Sequence, residues 1–235
     1  MNFRLCALLL SVLAVCPRLP AAEPAPNTLT EAERAAGWRL LFDGRTTQGW
    51  HSFGKPTFPA KGWIVEDGCL RHVAKAGGGD IITADTFNDY EFTFEWRIEA
   101  GGNGGVKYFI TEERNEAIGH EYQLLGERNL DEVLRNRLHA TASFYEVAPV
   151  SADFPFRPPD TWNQSRIVVR GNAIEHWLNG SRVLAYELGS EPIQAGIAKS
   201  KFKSVKGFGT KFSHHLLLQD HGGDVRFRNL KLRPL

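Results

Sequence analysis

The stretch Tyr90-Glu91-Phe92-Thr93-Phe94-Glu95-Trp96-Arg97-Ile98 decides the fold class. Tyr90, Phe92, Phe94, Trp96 and Ile98 recur with period two, and Glu91, Thr93, Glu95 and Arg97 fill the positions between them. That alternation is a β-strand with one face in a core and one in water. Working outward, Arg166 to Arg170 and Ala173 to Leu178 flank Gly171-Asn172. Asn179-Gly180 then turns the chain into Val183 to Tyr186, a three-stranded meander. Further strands fit Trp63 to Val65, Cys69 to Val73, Val106 to Thr111, Glu121 to Leu125, His215 to Gln219 and Val225 to Leu232. Helix is expected only after the capping-box pattern Thr30-Glu31-Ala32-Glu33 and over Leu130 to Arg137. Some ten or more strands without alternating helices imply an all-β, antiparallel two-sheet sandwich with one or two short helices.

The chain has 235 residues, 42% hydrophobic and 23% charged, with 23 glycines, a composition that excludes disorder and a membrane bundle. Arg4 precedes the apolar run Leu5 to Val15, and Pro17 and Pro20 break it before Ala21-Ala22, so residues 1–22 read as a secretory signal. Lipidation at Cys16 is a minor alternative, since Val15 is bulkier than the small residue such processing takes. Residues 23–36 read as linker and short helix, and 37–235 as a single domain. Without the signal, 26 basic residues face 27 acidic ones, which gives nucleic acid or an anionic membrane no electrostatic footprint. No segment approaches the ~20 apolar residues of a spanning helix. Cys69 would stand alone in the exported chain, as a small buried hydrophobe.

Chemistry on a sandwich is sought where polar side chains alternate with apolar ones along a strand. In Gly119-His120-Glu121-Tyr122-Gln123-Leu124, Glu121 and Gln123 project together. In His215 to His221, the residues His215, Leu217, Gln219 and His221 share a side. His176 projects opposite to Glu175 and Trp177. Gly101-Gly102-Asn103-Gly104-Gly105 is followed by a strand rather than a helix, so it is no dinucleotide loop. It suits close backbone approach, with Asn103 offering an amide to hydroxyl groups.

Gly37-Trp38-Arg39-Leu40-Leu41-Phe42-Asp43-Gly44, Gly62-Trp63-Ile64-Val65-Glu66-Asp67-Gly68, Gly104-Gly105-Val106-Lys107-Tyr108-Phe109-Ile110, His120-Glu121-Tyr122-Gln123-Leu124-Leu125, His176-Trp177-Leu178-Asn179-Gly180 and Leu218-Gln219-Asp220-His221-Gly222 together resemble the 3-keto-disaccharide hydrolase family. The resemblance runs from Gly37 to Leu235 and departs from the usual pattern at Gly126, His214 and Phe144-Tyr145-Glu146. It implies a concanavalin-like jelly roll, export to the periplasm or cell surface, and action on glycosides whose sugar carries a ketone at C3. Such a ketone acidifies the C2 proton, so a base can form an enolate that expels the C1 substituent, with water adding afterwards. The expected catalytic residues are Glu121 or His221 as base, Lys107 and Gln123 facing the enolate oxygen, and His176 as proton donor. Gln219 and Asn103 would bind sugar hydroxyls, and Trp63 and Tyr145 would stack on the ring. A divalent metal on His221, Asp220 or Glu121 would also stabilise an enolate. With no nicotinamide or flavin motif in this chain, oxidation at C3 falls to a separate sugar oxidoreductase.

Two rival readings remain. An ordinary retaining β-glucanase would place its carboxylates at Glu95 and Glu99, yet these lie about 13 Å apart along a strand, too far for a pair near ~5 Å. A carbohydrate-binding module would share the sheet but has no need of Glu121, Lys107 and His221.

Overall fold

The computed structural model describes residues 24–235, so the expected signal segment, residues 1–22, lies outside the described residues. The strands are β1 (Arg39–Leu40), β2 (Trp50–Ser52), β3 (Trp63–Glu66), β4 (Cys69–His72), β5 (Ile81–Thr83), β6 (Tyr90–Ile98), β7 (Asn103–Ile110), β8 (His120–Leu125), β9 (Asn163–Arg170), β10 (Ala173–Leu178), β11 (Ser181–Glu187), β12 (His215–Leu218) and β13 (Val225–Pro234). The helices are α1 (Glu31–Ala35), α2 (Leu130–Arg135) and α3 (Glu191–Lys199). Eight strands form one sheet in the order β11-β10-β9-β6-β13-β4-β3, with β1 also on β13. Five form the other, β2-β5-β12-β7-β8. Every named pairing is antiparallel. The expected two-sheet jelly-roll sandwich is therefore the fold, with a third helix, α3, beyond the one or two expected.

β6 spans Tyr90 to Ile98 as its alternation requires, with Tyr90, Phe92, Phe94, Trp96 and Ile98 all buried. They pack against Val106, Tyr122, Leu124 and Leu218 of the five-stranded sheet. Burying each such large side chain contributes roughly 1.5–3 kcal/mol. The meander turns as Asn179-Gly180 dictates: both residues take positive φ, 47° and 86°, which suits the twist of a two-residue hairpin. Thr30 and Glu33 close their capping box at α1. No helical periodicity in the sequence flags α3, whose Pro192 sits in the first turn, where its missing N–H costs nothing.

The core is not wholly apolar. The Ala142 carbonyl lies 2.8 Å from Nδ1 of His176 and so fixes the proton there. Nε2 of His176 then accepts from the Tyr108 hydroxyl at 2.7 Å, Tyr108 accepts from Tyr186 at 2.6 Å, and Tyr186 accepts from His120 Nδ1 at 2.9 Å. All donors point one way. His120 Nε2 is left as a bare lone pair with no partner. A proton added to this chain would be a donor with no acceptor. His214, buried against Tyr90, is a second such case, with Tyr90 Oη 3.0 Å from its Nε2 and the Phe212 carbonyl 2.8 Å from its Nδ1. Gly126, another of the departures noted above, has its Cα against the Glu99 carbonyl; an added Cβ would come within 1.9 Å of that oxygen, so no side chain fits.

Burial pushes the imidazoles of His176 and His214 down to about 4, and burial together with those two neighbours holds His120 well below the usual range. The unfolded chain therefore takes up protons on these histidines, starting near the ordinary value of 6.5, that the folded chain does not. The contribution of these histidines to stability should be constant above that value and fall as pH drops from it toward about 4. Each histidine adds up to about 1.4 kcal/mol per pH unit to the slope. Thermal melts of the unaltered protein and of His176→Gln across this range should differ by that histidine's share, with the stability of the variant falling less steeply as pH drops.

Candidate active site

The side chains that reach one another lie on the outer face of the five-stranded sheet. Cross-strand register sets a row over that face: His51 opposite Ile82, Ile82 opposite Leu217, Leu217 opposite Lys107, and Lys107 opposite Glu121. Ile82, Leu217 and Ile110 form an apolar patch with Phe53 and Ala117. Lys107 projects beside that patch and donates to the Ala117 carbonyl at 3.3 Å. Its ammonium lies 3.9 Å from Asp80, which precedes β5 and accepts from the Asp220 backbone N–H at 2.9 Å.

Glu121 is only 7% exposed, and no side chain or backbone group among the described residues donates a hydrogen bond to its carboxyl. Burial pushes its pKa up, Lys107 and Lys201 pull it down, Asp80 pushes it up again, and the balance stays above the ordinary carboxylate range. Asp80 is also raised, first by burial, with Lys107 the largest opposing influence and His221 a smaller one. Two partly desolvated carboxyls thus flank one lysine, the kind of environment in which acid–base groups are tuned toward neutral pH.

A wall stands over Glu121. The Tyr145 N–H donates to the Glu121 carbonyl at 3.1 Å, and Ala142 N–H to the Gln123 carbonyl at 2.8 Å, so residues 142–145 cover the edge of β8. Phe144 of this segment and Val147 just after it pack on Ile193 of α3 and on Phe202 and Phe208 beyond it. The same turn after α3 sets the Lys201 ammonium 4.5 Å from the centre of the Tyr145 ring. The floor is Gly105: a Cβ there would meet Glu121 Oε1 at 2.7 Å and Gln219 Oε1 at 3.0 Å. Glycine is needed because two polar side chains occupy the space above its backbone.

Of the expected residues, Glu121, Lys107, Gln219 and Tyr145 gather here, and exposed His221 lies close enough to act on Asp80 at the rim. The others do not. His176 is wholly buried between the sheets, bonded to Tyr108 and Ala142, and cannot donate to a substrate. Trp63 is 3% exposed, packed edge-on to His72 and alongside Phe227, with its indole N–H on the Gly79 carbonyl. It is core and no stacking platform. Gln123 is 2% exposed and its amide nitrogen is spent on Asn103, Gly104 and Leu124, so it has no donor for an enolate. Asn103 correspondingly has its side-chain oxygen on Gln123.

Asp80 and Lys201 were missed. Asp80 follows the run Gly77-Gly78-Gly79 and opens a three-residue strand too short to show a period, which is the one local signal it gives. Lys201 reaches the site only because α3 packs where it does. For the expected metal ligands, among the described residues no three side chains of ligand type converge. Asp220 faces inward: its carboxylate accepts from Gly79 and Gly222 N–H groups and lies 2.8 Å from His72 Nε2, without an aligned hydrogen bond to it. Glu95 lies on the other sheet, bound by Arg228 and Asn229, and Glu99 lies just past the end of the same strand, where it accepts from the Asp224 N–H.

This is a jelly-roll sandwich with an ionisable cup on its smaller sheet. Residues 37–233 match the model of the 3-keto-alpha-glucoside-1,2-lyase-like domain, and the chain belongs to that family. It is 30% identical over 232 residues to a 3-keto-disaccharide hydrolase of Bacteroides thetaiotaomicron, an alignment covering 86% of this chain and 79% of the relative. Among solved structures it is similar to a candidate glycosyl hydrolase from Parabacteroides distasonis, at 31% identity and a TM-score of 0.78, covering 89% of this chain and 99% of that one. A second such protein of the same organism shares the fold at 22% identity and a TM-score of 0.66, covering 84% and 99%.

The floor offers a direct check. Gly105→Ala should lower turnover at least tenfold by displacing Glu121 and Gln219, while the melting temperature changes little, because both crowded atoms are ends of side chains. Melting and steady-state rates on the same preparation separate the two effects.

Proposed function

We propose that this protein is an exported enzyme that cleaves 3-keto glycosides by removing the C2 proton. The observation that carries the reading is Glu121, buried and raised, beside the Lys107 ammonium on an outward-facing sheet. Glu121 takes the proton from C2, and the charge that develops on the C3 oxygen is met by Lys107. The C1–O bond then breaks, its electrons passing to the leaving oxygen as C1=C2 forms, and His221 at the rim supplies that oxygen with a proton in place of the buried His176. Water then adds at C1 and gives its proton back to His221, and Glu121 returns its proton to C2, which completes hydrolysis and restores both side chains. Omitting the water step gives the unsaturated sugar, a lyase outcome of the same site. Tyr145 forms the wall against which the sugar lies. The family and the relative's name support a carbohydrate substrate; in this reading a separate sugar oxidoreductase supplies the ketone.

The purified protein should cleave a 3-keto disaccharide and leave its unoxidised parent intact. In heavy water, the C2 position should exchange. Glu121→Gln should lower turnover by about 10²–10⁴, the range of general-base catalysis. The rate should fall as pH drops through the raised Glu121 value, since the carboxylate is the working form. Cleavage without exchange at C2, or full turnover by Glu121→Gln, defeats the mechanism; unaltered sugar binding with no turnover would indicate a binding module. A chelator arm tests metal dependence. Export has its own check: the mature chain from envelope or medium should begin near Glu23 on N-terminal sequencing.

A further inference from the structure

Resting on the assignment of Glu121 as base, a second residue is drawn into the proton transfer. Gln219 directly follows β12, and its N–H donates to the Gly105 carbonyl at 3.0 Å, which anchors its backbone over the floor of the cup. Its side-chain oxygen is buried and has no hydrogen-bond partner. Glu121 Oε1 shares the same space above Gly105 and likewise receives no donor. Both oxygens approach one point above Gly105, at 2.7 and 3.0 Å, and a protonated carboxyl there has a donor to offer the amide oxygen. When it has lost that proton, a half-turn of the amide presents nitrogen instead.

We propose that the Gln219 side-chain amide turns over with the protonation of Glu121, its oxygen accepting from the carboxylic acid and its nitrogen donating to the carboxylate. Gln219 is thereby a positioning residue. The remaining groups that face Glu121 are Lys107 from β7, Asp80 from the segment before β5, Lys201 after α3 and Tyr145 from the covering segment, with Asp220 and His221 acting on Asp80. A lysine offers donors only and an ionised aspartate acceptors only, so neither can follow a proton on and off a neighbour. A primary amide can. Glu121 must be carboxylate before the C2 proton is taken and acid afterwards, and the rotor keeps a hydrogen bond in both states.

The test is a titration read independently of turnover. Carboxyl-carbon NMR of the full-length protein gives the midpoint of Glu121. In Gln219→Met, of similar length but without a donor, that midpoint should rise by about one pH unit or more, because a hydrogen bond to a charged acceptor is lost. The acid limb of kcat/KM should move with it. In the unaltered protein, the Gln219 side-chain amide signals should shift with the same midpoint as Glu121, a measurement that survives a poorly folding variant. An unmoved midpoint in Gln219→Met, or amide signals constant through the Glu121 titration, overturns the proposal. Retained turnover in Glu121→Gln would remove the base assignment alone, and the coupled titration would still decide the rotor.

Discussion

Keeping a carboxyl away from water with nothing donating to it is expensive, and Glu121 is held in that condition. The surrounding structure supplies the compensation in pieces. Lys107 stands across the strand, Lys201 arrives from the turn after α3, and Asp80 opposes both. No one of these is a close aligned partner of Glu121, so the carboxyl is stabilised as an anion only in part. A fully paired carboxylate would be a poor proton acceptor; an unpaired one would stay protonated. In the proposed mechanism, that intermediate balance lets one side chain serve on both sides of a proton transfer.

The position of the cup follows from how the core is filled. The larger sheet turns its aromatic face inward, and hydroxyls and imidazoles from both sheets meet there in a chain running from His120 through Tyr186 and Tyr108 to His176. Because each member of that chain already has its proton placed, the interior is closed to chemistry although it is rich in ionisable groups. Ionisable side chains that are not so committed are left to the outward face. There the smaller sheet has β8 at its edge, sheltered by residues 142–145 and α3, while the outer face of the larger sheet is occupied by arginine–glutamate pairs such as Arg228 with Glu95 and Arg166 with Glu91.

The sandwich itself could be read from the sequence because its central strands have one wet face and so alternate. β6 and β10 have the bounds that alternation and turns assign them, and Glu121, Gln219 and Lys107 project as their periods require. The failures have physical causes. Period two says which side a residue takes but not which side is solvent, so His176 and Gln123 look identical to the residues that gather on the outer face until the partner sheet and the neighbouring Asn103 are placed. Trp63 illustrates the same limit, since an indole suited to stacking on sugar is equally suited to filling a core. The strands β1, β2 and β5 run for two or three residues, too short for any period. Asp80 and Lys201 enter through tertiary packing alone.

β7 carries one further lesson. Phe109 has φ +56°, and the pairing with β12 slips beside it, so Tyr108 and Phe109 both face the core before Ile110 returns to the outer face. The irregularity is a β-bulge, and it divides the strand into an aromatic half and a half bearing Gly105 and Lys107. Since a one-residue slip inverts every side chain on a regular strand, the bulge acts as a phase break. Lineages could lengthen or remodel the loop beyond Ile110, which roofs the apolar patch, while leaving lysine and glycine in phase with their glutamate neighbour.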